Sequence, residues 1–537
     1  MFPAACLLFA GAVYQWPLYS SNQNTYFVPG LAAAGYGHLA DDWLAQQSDI
    51  VPVFSAVVRG VHAVGSEVIF YGLFVVLAAL YAACLSRIAA TPGGQAELNA
   101  EADTEARQRA SGRSPRDAAV FLVLLAGLHF LADLPAVGGV LGAGISRVQP
   151  FGELAVSGVA AQDVLGHALQ PSAFGVLLLA SVVLFVSGRP YAAAACAVLG
   201  ATFHTSLTLH AGFLTVAYLT ALLVEKRLGQ AVKTGFVALG LVLPMTIYLA
   251  SRFVFSDDDA ARAAGQLISA DVRQPHHAKP ELWFDRDAMI QLVIVLAGLI
   301  LSYRNKRLFV VLLVCTLLAG GLTVLQVFTG DLSLALMFPW RTSVWLVPAC
   351  SAVLLGYAVR WIGRTADRFV GERSPASATR GVTALAAAGL IGFCLIGVQR
   401  TASNLAEDRR LDDHATFAKS YARPGQAYLI PTHLQRFRLR AGVPTYVDWK
   451  SFPYRSSEIL VWHDRFETAE AFYAAEDGDT AAAALAAVQE NQTITHVVLP
   501  VDRRHLVAAL DAAVIYEGED YLVVELADAT RRSAIAG

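Results

Sequence analysis

Five small groups of residues have the types that chemistry needs. Asp41 and Asp42 stand side by side in a polar stretch from Ser21 to Val58. A carboxylate there can take up a proton or orient a metal ion, or it can cap a helix starting at Trp43. Arg341 follows Phe338-Pro339-Trp340, and a guanidinium fork at a membrane boundary can hold a phosphate or anchor a helix at the headgroups. His204 and His210 sit in the middle of a long uncharged run. Along one helix their rings would be about 240° apart, so they share a site only across a turn; a polar pair inside a helix bundle is the simpler reading. His276-His277 and Asp257-Asp258-Asp259 lie in one charged loop, where a solvated surface is a stronger reading than a metal site. Tyr446 to Tyr454 sets aromatics beside Asp448 and Lys450, a mixture that suits contact with a sugar or a lipid headgroup, or packing at a strand edge.

The elements that must position these residues follow from composition. The chain has 537 residues, 55% hydrophobic and 15% charged, with a mean hydropathy of +0.49. A soluble domain carries about 25% charged residues, so the chain reads as a polytopic membrane protein. Its net charge of −3 provides no field for nucleic acid, and no nucleic-acid partner is expected. Apolar runs long enough to cross a bilayer lie near 1–17, 66–86, 118–134, 171–187, 234–252, 288–303, 308–328, 342–360 and 381–399. The uncharged run 190–224 would make a single helix of about 52 Å against a hydrocarbon core of roughly 30 Å. Two crossings fit it better, which brings the expected total to eleven.

Charge agrees with that count. Arg87 to Arg116, Arg189, Lys226-Arg227, Arg304 to Arg307 and Arg360 to Arg380 share one face only if 190–224 crosses twice, and Lys and Arg favour the cytoplasmic side. The N-terminus is then cytoplasmic, with the first apolar run read as a retained helix, because no basic residue precedes it and no small-residue cleavage site follows. The loop 88–116 is a solvated cytoplasmic connector. The segments 18–65, 146–168, 254–287, 329–340 and everything after 400 are expected outside the cytoplasm. Asp133, Glu153 and Asp163 are further acids on that face; Asp133 is explained as a helix terminus, and Asp163 lies in a loop that can fold into a cavity.

After Val398 the composition becomes that of a soluble protein, and about 137 residues suffice for one small domain. Short β-prone runs at 427–431, 444–449, 495–500, 514–517 and 521–526 alternate with helical stretches near 403–420, 464–474, 479–490 and 502–512. Gly518 sits where a final hairpin needs its turn. The expected fold is therefore an all-α transmembrane domain over 1–399, with a first outer loop 18–65, and an extracytoplasmic α/β domain over 400–537. The six cysteines lie in apolar segments without CxxC spacing and read as small buried residues. No nucleotide-binding or hydrolase motif is present.

The layout resembles the GT-C superfamily of polyprenyl-phosphate-sugar-dependent glycosyltransferases, in which a large first outer loop with acidic residues follows the first helix. The run from Tyr26 to Pro52, containing Asp41-Asp42-Trp43-Leu44, is similar to the stretch that follows the acidic pair in protein O-mannosyltransferases and lipid A aminoarabinose transferases. Those relatives carry an Asp-Glu pair just before the tyrosine, whereas Asn22-Gln23 stands here, and an amide cannot serve as a general base. The resemblance implies a bacterial inner-membrane enzyme that moves a sugar from a polyprenyl phosphate to an extracytoplasmic glycan, lipid or protein. It makes Asp41 and Asp42 the base, Arg341 the phosphate ligand, and Asn22, Gln23, Tyr26, His204, His210, Asp163 and Lys450 substrate contacts. A divalent cation is a conceivable cofactor, and the lipid bilayer is a partner throughout. A carrier or flippase, or a non-catalytic assembly protein for lipid-linked glycans, is the alternative. The Tyr446–Tyr454 segment and the loop around Asn22 also resemble an uncharacterised bacterial membrane protein family.

Overall fold

The computed structural model describes residues 2–91, 115–133, 152–370 and 375–527. Most of the connector expected at 88–116, and the first part of the outer segment 146–168, lie outside them. The chain forms two compact units, each built from separate stretches of sequence. One comprises Met1–Gln15, Phe70–Thr246 and Arg273–Thr401, and the other Trp16–Ile69, Ile247–Val272 and Ala402–Gly537. The contiguous division at residue 399 is thus replaced by an interleaved one. Polar segments such as Trp16–Ile69 find hydrogen-bonding partners in the soluble-like C-terminal stretch, and a division by composition cannot see that pairing.

The first unit is helical. Among the described residues, six helical stretches are long and apolar enough to cross a membrane: Val68–Ala90, Thr205–Val224, Leu228–Val254, Lys306–Thr329, Leu332–Thr365 and Thr379–Asp408. Several of them leave large apolar side chains facing outward without cover, Phe236 at 70% exposure among them, so this is a helical membrane protein. Shorter apolar helices occupy Phe2–Ala12, Pro171–Val186 and Pro190–Phe203. The long uncharged run breaks as its length required, into Pro190–Phe203 and Thr208–Val224 with a short 3-10 turn at Thr205–Leu207 between them.

Local chemistry sets the helix ends. Asn305 accepts from the amide of Leu308 at 3.0 Å to start Lys306–Thr329, and Gly330, with φ 64°, ends it. Asp285 accepts from Asp287 and Ala288 to start Arg286–Ser302. Small residues let helices approach closely: a Cβ on Gly298 would lie 2.5 Å from Cys350 Cβ, and one on Gly356 would lie 2.3 Å from the carbonyl of Ala89. Some buried hydroxyls are paired within the bundle, as when Ser181 donates to the carbonyl of Ala193 at 2.7 Å.

The second unit contains a four-stranded sheet of β1 (Tyr428–Leu429), β2 (His496–Pro500), β3 (Ala512–Glu517) and β4 (Tyr521–Leu526), in the order β1-β2-β4-β3. β1 runs parallel to β2, and the other pairings are antiparallel. The expected final hairpin is present, closed by the Gly518 amide donating to Tyr521. The run 444–449 does not become a strand beyond a single bridge from Tyr428 to Thr445, because Asp448 turns the chain by accepting from the amides of Lys450 and Ser451. Nor does 502–512 form an α-helix; a 3-10 turn covers Val501–Leu506. Helices Asp413–Tyr421, Phe437–Ala441, Ser456–Ala474 and Gly478–Asn491 follow in the C-terminal stretch, and Pro52–Val64 and Asp259–Ile268 come from the other two; a core of Tyr428, Ile430, Phe437, Val498 and Val523 lies within the unit.

Candidate functional site

In the second unit, Asp42 and Asp448, both 0% exposed, flank Arg438 at 1%. Asp42 accepts from Arg438 Nε and from the Thr445 amide, each at 2.9 Å, and from the Leu44 amide at 2.8 Å. Asp448 pairs with Arg438 Nη1. The two carboxylates more than offset the burial that opposes the Arg438 charge, and its pKa is raised. The expectation that Asp42 acts as a base is corrected by this setting: its oxygens are committed to donors and none faces solvent, so it is a structural anion. It caps no helix at Trp43 either, since its acceptor bonds close a turn to Leu44. Asp41 is exposed at the end of the 3-10 turn Leu39–Asp41.

The residues around Asn22 shape the same unit. Gln23 Oε1 accepts from the amides of Tyr19 at 2.7 Å and Ser20 at 3.3 Å, holding a turn in which Tyr19 and Ser21 have φ of 66° and 53°. Such backbone is unfavourable for residues other than glycine and persists only when its surroundings enforce it. The buried Gln23 amide therefore does positioning work, and Asn22 is half-buried beside it. Tyr26 stacks on Tyr454, their hydroxyls 2.7 Å apart.

A cleft of about 440 Å³ opens in this unit, with Trp16, Asn24, Asp412, His433, Arg436 and Lys450 among its lining residues. Lys450 is fixed on both sides of its Cα. Its amide donates to Asp448 at 2.9 Å, and its carbonyl accepts from Thr25 at 2.8 Å. Arg436 pairs with Asp408 and lies 3.4 Å from Asp412. Asn24 is 1% exposed, and neither atom of its side-chain amide has a hydrogen-bond partner.

In the first unit, Arg341 follows Phe338, whose φ is 49°, in the 3-10 turn Pro339–Thr342. Its guanidinium lies 4.6 Å from the Phe338 ring centroid, and Nη2 donates to Gln162 Oε1 at 3.4 Å. The next residue, Thr342, is 2.8 Å from His210 Nδ1. His210 is thus a buried partner of the arginine's turn, while His204 lies 3.2 Å from Ser206. The Trp340 indole donates to the carbonyl of His277 at 3.1 Å. Burial, then the Arg341 charge, push the His277 pKa down to about 2, so this ring stays neutral.

Gln162 precedes Asp163 on a loop where Ala160 and Ala161 both have positive φ, 56° and 50°. The Val159 amide donates to Ser343 at 2.9 Å, and Gln291 donates to the carbonyls of Ser157 and Gly158. Asp163 is accessible, yet the protein mass around it pushes its carboxyl up to about 7; His167 opposes the shift, and Asp133 and Glu153 add to it. His167 Nε2 is 3.1 Å from Asp133, and its ring stacks on Tyr14 at 4.2 Å. Burial disfavours the charged imidazole, but the Asp133 carboxylate and the Tyr14 carbonyl outweigh it and raise the pKa. Asp133, expected as a simple helix terminus, holds this histidine as well.

Sequence reading missed Asn24, Trp16 and His167. Asn24 was visible only as one amide in a polar run, and nothing along the chain marks it as the buried one. No group of three or more His, Cys, Asp or Glu is placed to hold a metal among the described residues.

A helical membrane protein with a polar cleft in its second unit is the class these features define. Residues 411–469 match a family described as a domain of unknown function, DUF6798. That stretch holds Arg438, Asp448 and eight of the twelve residues lining the cleft. No curated protein matches the chain.

Proposed function

We propose that the protein is a membrane glycosyltransferase of GT-C type, which moves a sugar from a polyprenyl phosphate carrier to an extracytoplasmic glycan, lipid or protein. The observation that carries this reading is the loop 159–170. It presents an accessible carboxyl near pKa 7 at Asp163, directly after the residue that accepts from Arg341. A base that titrates near neutrality serves general catalysis well, and a guanidinium fork suits a phosphate leaving group.

In this mechanism the acceptor hydroxyl gives its proton to ionised Asp163 while its oxygen bonds to the anomeric carbon of the donor sugar. The bond from that carbon to the phosphate oxygen breaks, and its electron pair leaves with the polyprenyl phosphate, whose charge Arg341 offsets. The proposed topology has eleven crossings in a bacterial inner membrane, with a cytoplasmic N-terminus and the C-terminal stretch in the periplasm.

Mass spectrometry of co-purifying lipids, before and after polyprenyl-phosphate sugars and candidate acceptors are added, tests the reading. Wild type should consume donor, Asp163→Asn should bind it without turnover, and Arg341→Ala should lose donor retention. Full turnover in Asp163→Asn would remove the proposed base. Donor that wild type binds and never consumes would mark a carrier or assembly protein instead.

A further inference from the structure

We infer that His167, held as an imidazolium between the Asp133 carboxylate and the Tyr14 carbonyl, is the positioning residue for Asp163, the charge that stabilises its carboxylate. Its relevance to catalysis rests on the reading of Asp163 as the base. Both ring nitrogens of His167 face acceptors: Nε2 is 3.1 Å from Asp133 Oδ1, and Nδ1 is 3.3 Å from the carbonyl oxygen of Tyr14. A neutral imidazole has one N–H and one lone pair. It would satisfy one of these oxygens and set its lone pair against the other, whereas the imidazolium donates to both. The ring also lies on that of Tyr14, with 4.2 Å between centroids and 19° between planes, and the negative face of an aromatic ring favours a cation. At side-chain exposures of 20% and 18%, His167 and Asp133 are screened by water only in part.

Asp163 stands four positions before His167 in the loop 159–170, and the two groups act on each other through space. Burial pushes the Asp163 carboxyl up to about 7; the His167 charge opposes that rise, and the Asp133 and Glu153 carboxylates add to it. Tyr81 also faces Asp163, and His129, from the helix Pro115–Ala132, faces His167. Arg400, from the helix Pro375–Leu411, lies 5.5 Å from the Tyr14 ring centroid and donates to the Asp133 carbonyl at 3.4 Å. Without the imidazolium, burial and two like charges would together hold the proton on Asp163, and a carboxyl protonated at working pH accepts no proton from a hydroxyl. The two sites are coupled, so their protons leave in steps that belong to the pair.

The test follows the infrared carboxyl band of Asp163 against pH in the full-length protein, assigned by difference from Asp163→Asn, with donor turnover measured over the same range. His167→Gln should move the midpoint of the band upward by about one pH unit. Its loss of turnover should be largest at low pH and shrink as pH rises past the new midpoint, a pattern that a merely structural defect would not give. His167→Lys, which keeps a cation, should return the midpoint toward wild type. Melting temperatures close to wild type identify folded variants. In the wild type itself, the ring nitrogen-15 shifts of His167 should show both nitrogens protonated at pH 7, and a neutral ring there would overturn the inference without any variant. An Asp163 band that titrates alike in folded His167→Gln and wild type would also overturn it. A midpoint that moves as expected while Asp163→Asn keeps full turnover would support the pairing and remove Asp163 as the base, so the two readings fail separately.

Discussion

Arg438 donates its Nε to Asp42 over 2.9 Å, a contact between residues 396 positions apart in the chain. Both groups are out of reach of water, and the second carboxylate, Asp448, completes the charge balance on the other side of the guanidinium.

Breaking that arrangement should cost stability before it costs chemistry. Arg438→Met leaves two buried carboxylates facing each other and should destabilise the protein by about 3–5 kcal/mol. Asp42→Asn, which keeps the shape and removes one charge, should cost about 1–3 kcal/mol. Melting curves and limited proteolysis read both. An Asp42→Asn variant that melts like wild type and lacks activity would return the carboxylate to a chemical role.

Asp163 makes stability depend on pH in a defined direction. The folded carboxyl keeps its proton up to about 7, whereas an unfolded aspartate releases it near about 3.9. Between these values the folded state binds the extra proton, so the contribution is complete below the lower value and disappears as pH rises through the upper one. Asp163→Asn should abolish this part of the decline in melting temperature from about pH 5 to about pH 8. Identical pH slopes in variant and wild type would show that the carboxyl is not perturbed. If Asp163 is the base, turnover should rise with pH through the same upper value.

Arg341→Lys separates charge from shape. The cation remains, but the planar fork that stacks on Phe338 and reaches Gln162 is lost. Donor affinity should fall about tenfold in Arg341→Lys and further in Arg341→Ala. Equal affinities in the lysine variant and wild type would reduce the residue to a point charge.

Gly37 tests how the first loop joins its own unit. Its φ is 53°, and a Cβ there would lie 2.2 Å from the carbonyl of Gly442, which already accepts from the His38 amide at 2.8 Å. Gly37→Ala should destabilise the second unit by about 2 kcal/mol or more, seen as faster hydrogen exchange at 437–445. Unchanged exchange would mean that the loop has another way to seat.

Much of the helical architecture was legible along the chain because apolar length is a local property. The break in 190–224 was required by the length of the run alone, and it falls at His204–Leu207. The final hairpin was legible for a similar reason, since two β-prone runs separated by a turn residue leave few other arrangements. The run 444–449 forms no strand because its amides are taken one by one by different partners: Thr445 donates to Asp42, Tyr446 to Tyr428 and Trp449 to Thr432.

What composition, length and charge determined was a membrane protein with long apolar helices and a polar C-terminal stretch. Only the tertiary structure decided which polar residues are satisfied. Asp42 and Asp163 are both outer-loop aspartates in sequence, but one meets an arginine and two amides while the other is left accessible. Asn24 and Gln23 are adjacent amides, yet Gln23 is bound to backbone and Asn24 is unpartnered at the cleft. The physical reason is that whether a buried polar group is satisfied can depend on a partner far along the chain, as Asp42 depends on Arg438, and no local pattern of residues encodes that partner's arrival.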